Sequence, residues 1–329
     1  MRKFFLNILS SLYSKVKSSK SLSSIYYSVA NKNFFGNFQE QEKMIGDRIR
    51  MDAYHKGINK YVKEGDIVID LGTGTGILSF FAAKSSPRKI FAIDHGDIIK
   101  SAEKIALHNK IGNIDFINTN SRNFNITEKA DVIIHEQIGA FLFDEMMTEN
   151  ISDLRDRLLK EGGKIIPGKF EVYLAPVKLK EFSSVPFIWE QDIHGINYDC
   201  FEELKSSDDS RYGILSVRPF AVERFLCEPE KILYFDLEKM NKSDIPLKFS
   251  FSKEITEEGI CDGICFYFKI IFDEEIQIDT NPLKTETHWN IPILRTRRRK
   301  FNTGDEIKIK FEWSDPSDIS TVKWNRSLD

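Results

Sequence analysis

Cysteine is scarce in this chain. There are four among 329 residues, Cys200, Cys227, Cys261 and Cys265. None lies in a C-x-x-C pair, and no histidine stands near Cys261 and Cys265 at zinc-finger spacing. A disulfide scaffold and a structural zinc site are therefore excluded. The four read as reduced residues in or near strands, which suits a cytoplasmic protein. No uninterrupted apolar run approaches the roughly 20 residues needed to span a bilayer. Charge of one sign does not dominate: the net charge is −3, which argues against a nucleic-acid binder. Internal repeats and long low-complexity tracts are missing. Acid is missing from residues 1–39, which carry Arg2, Lys3, Lys15, Lys17, Lys20 and Lys32 before the first acid, Glu40. The apolar stretch from Phe4 to Leu12 is broken by Asn7 and two serines, and no A-x-A-like site follows. That favours an amphipathic helix over a secretory signal, one that covers an active site or touches a partner.

What is present fits a globular protein with ample core: 41% hydrophobic and 29% charged residues. At this length two domains are expected. From about Asp47 to Lys164, short branched runs alternate with helical patterns. Ile67–Leu71, Ile90–Ile93, Asp115–Ile117 and Val132–Ile134 read as buried strands, and Ile77–Ser85 and Ile98–Asn109 as helices. Such alternation means a parallel sheet with helices on both faces. After Pro167 the texture becomes β-rich, with strand chemistry at Glu171–Ala175, Ile264–Phe272 and Ile307–Trp313. The last alternates Ile307, Ile309, Phe311 and Trp313 with Lys308, Lys310 and Glu312, the pattern of a half-buried antiparallel strand. Asn302–Asp305 supplies the turn before it.

Asp70-Leu71-Gly72-Thr73-Gly74-Thr75-Gly76 joins a strand to a helix start. Glycines there let the backbone approach a ligand. A bare G-x-G-x-G turn is weak evidence, because dinucleotide enzymes use similar loops. Two features sharpen it. An acid precedes the glycines, and Asp94 ends the next strand, where a carboxylate can accept two ribose hydroxyls. Asp94 could instead cap the helix beginning near Asp97. The combination favours an adenosyl ligand without pyrophosphate, and S-adenosylmethionine leads.

The strand Asp131–Ile134 runs into His135-Glu136-Gln137-Ile138-Gly139-Ala140-Phe141-Leu142-Phe143-Asp144-Glu145. Glu136 and Glu145 flank a glycine turn at the carboxyl end of a parallel strand, where open α/β sheets bind ligands. By spacing alone they could be solvated surface charges. Their chemical use would be specific. A sulfonium donor and a guanidinium acceptor at about 4 Å repel by roughly 4 kcal/mol at an effective dielectric of 20. Two carboxylates offset that repulsion, grip the planar group and aim a nitrogen at the methyl carbon.

With Gly139 and Leu142 between them, these glutamates resemble the double-glutamate loop of the protein arginine methyltransferases, type I-like. Met44–Arg50 followed by Tyr54 is similar to that family's helix before the nucleotide domain. Thr287-His288-Trp289 is similar to its Thr-His-Trp loop. Trp189-Glu190 with Gly195 and Cys200 resembles the start of its dimerisation arm. The resemblance runs from about Phe35 to the C-terminus. It implies an α/β Rossmann-like class I methyltransferase domain over 41–166, after a basic helical segment at 1–40. A mostly antiparallel β-barrel domain follows over 167–329, with a helical dimerisation arm at about 182–212.

The same resemblance implies roles. Arg50, Gly72 and the turn through Gly74 and Gly76 would meet the methionine part of S-adenosylmethionine, with Asp70 beside them. Asp94 would hold the ribose, and Ser121 stands where an acid often meets adenine. Asp47 and His288 would pair across the domain junction and take up the proton that methylation releases. Without the resemblance, His288 reads as a packed or surface histidine. Thr287 and Trp289 would shape the cleft, and Met44 and Met147 would line the pocket, although methionines there are also ordinary core filler. His135 replaces the usual serine, Gln137 the usual tryptophan, and only Phe34, Phe35 and Phe38 stand near the N-terminal aromatic signature. The expected partners are an arginine-containing protein or peptide, or a small guanidine, and a second copy of the chain as homodimer. No membrane span and no required metal are expected. A scaffold that keeps the fold without activity is the non-enzymatic alternative. The run Arg295–Lys300 reads as a solvated hairpin in the β-domain, since no aromatic platform flanks it.

Overall fold

The computed structural model describes residues 37–204, 211–284 and 286–328. The basic N-terminal stretch, with Phe34 and Phe35, lies outside them.

Two helices lead in, α1 (Phe38–Gly46) and α2 (Arg48–Tyr61). Asn37 caps the first through Gln39 N, and Asp47 caps the second through Arg50 N. There follow β1 (Ile67–Leu71), α3 (Ile77–Ala83), β2 (Lys89–Asp94), α4 (Ile99–His108), β3 (Ile114–Asn118), β4 (Ala130–His135), α5 (Met147–Leu158) and β5 (Leu159–Ile166). The five strands form one parallel sheet in the order β3-β2-β1-β4-β5. Every residue of β1 is buried, as a strand covered on both faces requires. Gly76 starts α3 at φ +89°, and a Cβ there would lie 2.6 Å from Phe80 Cζ and 3.1 Å from Ala102 Cβ, so only glycine lets α3 leave the turn against α4.

The chain changes sheets at Pro167 and becomes antiparallel. The strands are β6 (Lys169–Leu179), β7 (Asp192–Ile193), β8 (Ile196–Asn197), β9 (Ile214–Val217), β10 (Val222–Phe225) and β11 (Glu230–Asp236). After them come β12 (Lys248–Glu254), β13 (Gly259–Ile271), β14 (Gln277–Asp279), β15 (Ile291–Phe301), β16 (Glu306–Glu312) and β17 (Lys323–Trp324). A seven-stranded sheet has the path β10-β6-β13-β15-β9, with β11 on β6 and β14 on β13. A second sheet runs β12-β16-β17. The alternation read in β16 holds: Ile307, Ile309 and Phe311 are buried, as is Trp313 beyond it. The architecture is thus a Rossmann-like parallel sheet followed by a curled antiparallel domain.

The excursion over 182–212, expected as a helical arm, is described except for residues 205–210. Its described residues make short 3-10 turns (Glu181–Ser183, Ile188–Glu190), the β7–β8 hairpin and a four-residue helix, α6 (Phe201–Leu204). Arg295–Lys300 belongs to β15 and is not uniformly solvated: Arg295 is buried, its guanidinium 3.9 Å from the Phe187 ring centroid. Arg298 Nε lies 3.2 Å from Asp262.

One continuous core joins the two sheets. Phe141, from the loop after β4, meets Phe266 at 4.8 Å between ring centroids, and Phe143 meets Phe235 at 5.4 Å and Trp313 at 6.1 Å. Aromatic pairs of this kind contribute about 0.5–1.5 kcal/mol each beyond area burial. They sink the loop carrying the two glutamates into the junction of the domains.

Candidate active site

Each segment that borders the cleft is held by bonds the local sequence specifies. After β1 the turn is anchored by Gly72 N and Thr73 N, which donate to Ile93 O at 2.9 and 3.1 Å. Asp70 is fully buried beneath it and accepts from Thr73 Oγ1 (2.8 Å) and Ser79 Oγ (2.6 Å). Burial pushes its pKa up to about 6, against the pull of those hydroxyls. Asp94 ends β2 and accepts from Gly74 N (3.0 Å) and Gly96 N (2.7 Å). It does not cap the following helix: Ile98 is the N-cap of α4 and makes no side-chain cap bond. The cleft is lined by Gln41, Met44, Arg50, Gly72, Gly74, Asp94 and Ser121 on the nucleotide side. At the other end it is lined by Glu136, Gln137, Glu145, Met146 and Asn150.

The loop between the glutamates is stapled from three directions. Tyr54 Oη donates to His135 O at 3.1 Å, Trp289 Nε1 to Ile138 O at 2.7 Å, and Phe141 N to Asp144 Oδ1 at 3.1 Å. Gly139 leaves room there for the Asp144 carboxylate, which a Cβ would overlap and displace. Leu142 (φ 65°) and Met146 (φ 55°) both sit in the left-handed region. For non-glycine residues such backbone costs of order 1–3 kcal/mol and clusters at functional loops.

Arg50 Nη2 reaches Glu136 Oε2 at 2.6 Å, and Nη1 donates to Met44 O at 2.8 Å. Both side chains are nearly buried, at 5% and 10% exposure, so the pair is little screened. Arg50 Nε is buried with no partner, a donor left over at the cleft wall. Burial raises the Glu136 pKa even with Arg50 pulling it down. Glu145 is pushed well above the usual carboxylate range, by burial first and then by the charges of Glu136 and Asp144. Among the described residues no hydrogen bond reaches its carboxylate.

Asp47 and His288 meet across the domain junction. His288 Nδ1 lies 2.8 Å from Asp47 Oδ2, His288 N donates to the same oxygen at 2.9 Å, and Arg50 N donates to Asp47 Oδ1 at 3.0 Å. Burial pushes Asp47 up, but these bonds outweigh it and its pKa falls below the ordinary value.

Several expected residues stand elsewhere than the cleft wall. Asp70 is sealed under the turn, so it shapes the loop and touches no cleft surface. Gly76 serves the packing of α3. Met147, in the first turn of α5, points into the core, and Met146, one residue earlier, lines the cleft. Thr287 and Trp289 are both buried, and Trp289 holds the double-glutamate loop from behind through Ile138 O. Sequence reasoning missed Gln41, Asn150, Thr119 and Asn120 on the wall; no spacing rule marks them. It also missed that Arg50 is partnered by Glu136.

The donor set fits S-adenosylmethionine. A carboxylate at the end of β2 suits vicinal hydroxyls, and the buried, uncommitted Arg50 Nε suits a carboxylate. Apolar Leu71, Ile77 and Ile93 wall the space between them.

Residues 169–325 match the Arginine methyltransferase oligomerization subdomain, and residues 55–168 match Ribosomal protein L11 methyltransferase. Protein arginine N-methyltransferase 6 of Danio rerio is 31% identical over 262 residues, 77% of this chain and 75% of that protein. Protein arginine N-methyltransferase 1 of Saccharomyces cerevisiae is 29% identical, over 78% of this chain and 75% of that one. The chain spans half the length of the histone-arginine methyltransferase CARMER of Drosophila willistoni, at 27% identity. Its fold superposes on a chain of the Trypanosoma brucei PRMT1 enzyme-prozyme heterotetrameric complex with AdoHcy (TM-score 0.74, 24% identity, 84% of this chain and 88% of that one).

Proposed function

The chain belongs to the protein arginine N-methyltransferase family, and from that premise we propose that it moves a methyl group from S-adenosylmethionine to a guanidino nitrogen of arginine in a protein or peptide. The observation that carries this is the convergence of Glu136 and Glu145 on the end of one cleft whose other wall carries Gly72, Gly74 and Asp94.

The bound donor supplies a methyl carbon made electrophilic by a sulfonium. Asp94 would take the ribose, Ser121 the adenine end, and Arg50 the methionine carboxylate through Nε while still facing Glu136. Met44 and Met146 would border the transferring methyl. Glu136, braced by Arg50, and Glu145 hold the guanidinium in plane, so that the attacking nitrogen forms its bond to carbon as the carbon–sulfur bond breaks. That nitrogen then gives up a proton. The Asp47–His288 pair is the acceptor in this reading, with Nδ1 facing Asp47 and Nε2 left to take it. Residues 41–166 form the donor domain and 167–329 the β-domain in the same reading. A cytoplasmic homodimer belongs to it too: the four cysteines are free, and the β-domain matches an oligomerization subdomain.

The test is an assay of labelled donor with arginine-rich peptides and, separately, free arginine, read by product mass. Methylated peptide is expected; methylation of free arginine alone would overturn the protein-substrate reading. Glu136→Gln should bind S-adenosylhomocysteine nearly as well as wild type and turn over orders of magnitude more slowly. An unchanged rate removes Glu136 from the mechanism.

A further inference from the structure

Glu145 needs aiming. No hydrogen bond reaches its carboxylate among the described residues, so its direction is set by the backbone that carries it. That backbone continues through left-handed Met146 straight into α5, where Met146 O accepts the first helical bond, from Asn150 N at 3.1 Å. Met146 supplies no side-chain cap. The start of α5 is therefore held by something other than its own end.

The β-domain holds it. Glu149, in the first turn of α5 and four residues beyond Glu145, is gripped at Oε1 by Lys242 Nζ (2.5 Å) and Ser317 Oγ (2.8 Å). Its Oε2 accepts from Thr148 Oγ1 at 2.8 Å. Lys242 also meets Asp315 at 2.5 Å, which ties the 3-10 turn Lys242–Asp244 to the segment carrying Ser317. Further along α5, Arg155 donates to Leu237 O (2.8 Å), Met240 O (2.9 Å) and Asn241 Oδ1 (2.6 Å). One loop of the β-domain, 237–244, thus holds α5 at two points along its length. The Glu149 side chain is 17% exposed and Lys242 30%, so the contact is more than a loose surface pair.

We infer that Lys242 and Glu149 are positioning residues for Glu145: the 237–244 loop clamps α5 so that the second carboxylate faces the cleft. The inference rests on the proposed activity for its kinetic consequence, and on geometry alone for its structural one. Loosening the clamp would swing Glu145 without touching the wall formed by Gly72, Asp94 and Ser121. Misplacement by about 1 Å at a reacting group costs on the order of 100-fold in rate.

The experiment compares wild type, Lys242→Met, Glu149→Gln and Lys242→Arg in the full chain. The first two variants should turn over at least about tenfold more slowly at saturating peptide, with peptide KM and calorimetric S-adenosylhomocysteine affinity within about threefold. Lys242→Arg, which keeps a cation able to span Glu149 and Asp315, should recover most of the rate. Amide hydrogen exchange should rise at 141–150 in Lys242→Met and stay unchanged at 67–96. Unchanged turnover, or a loss shared equally by donor binding and melting temperature, overturns the positioning role. If wild type methylates no arginine peptide, the proposed function fails by itself, and the exchange data then decide the clamp: unaltered protection at 141–150 refutes it.

Discussion

Glu145 is a carboxylate placed where a carboxylate is costly. Burial, then Glu136 and Asp144, raise its pKa well above the ordinary range. For an acid whose folded pKa is raised, stability is complete below the unfolded pKa and is lost as pH climbs through the folded one. At pH 8 the residue therefore destabilises the protein without substrate, and a guanidinium is what would settle it. Glu145→Gln should raise Tm at pH 8, by roughly 2–4 °C for each kcal/mol recovered, while turnover collapses. The gain should shrink toward pH 4. Titrating acceptor peptide at mildly acidic pH in two buffers of different ionisation enthalpy should show more proton release by wild type than by the variant. A variant that melts lower than wild type at pH 8 would contradict the assignment. This residue was singled out through the family resemblance of its loop, because spacing from Glu136 alone also fits a solvated surface charge. Its raised pKa was not legible, because burial comes from residues far along the chain. The Arg50–Glu136 bond, across 86 positions, was equally invisible to any periodicity.

At the scale of elements, β1, β2 and β4 were readable to within about two residues, since a strand buried on both faces is written as an apolar run, whereas Asp115–Ile117, read as buried, lies in the half-exposed edge strand β3, and the other edge strand, β5, was not read at all. Ile67–Leu71 matches β1 end to end. β16 was readable for the opposite reason, its strict alternation. The excursion after β6 was not, because 3-10 turns and two-residue strands leave no period. The double-glutamate loop lies between these cases: its place after β4 follows from the sheet, but its shape depends on Gly139 and two left-handed residues. Gly139→Ala tests that shape. The added methyl would drive Asp144 off Phe141 N and shift the loop. A displacement near 1 Å should slow turnover about 100-fold, with S-adenosylhomocysteine affinity kept within about threefold, because the loop after β1 is untouched. Donor affinity falling in step with turnover would mean that the two ends of the cleft are not separable as described.

The whole molecule leaves apolar surface that one protomer does not cover. In the 182–212 excursion Phe182 is 75% exposed, Val185 52%, Ile193 47% and Ile196 61%. Clustered exposure of this kind on a folded protein marks a contact surface. The root of the excursion is different: Phe187 and Trp189 are buried, stacked at 4.6 Å and roofed by Arg295. Removing all of 182–212 would therefore expose core as well as interface, and a monomer obtained that way would be ambiguous. Substituting only the hairpin, Ile193→Asp with Ile196→Asp, leaves the root intact, because the β7–β8 pairing is made by backbone and both side chains face outward. If the chain is a homodimer through this hairpin, sedimentation velocity should show wild type as a dimer and the double variant as a monomer. The variant's S-adenosylhomocysteine affinity should stay within about threefold of wild type. A double variant that still sediments as a dimer would move the interface elsewhere, and a wild type that sediments as a monomer would remove the homodimer altogether.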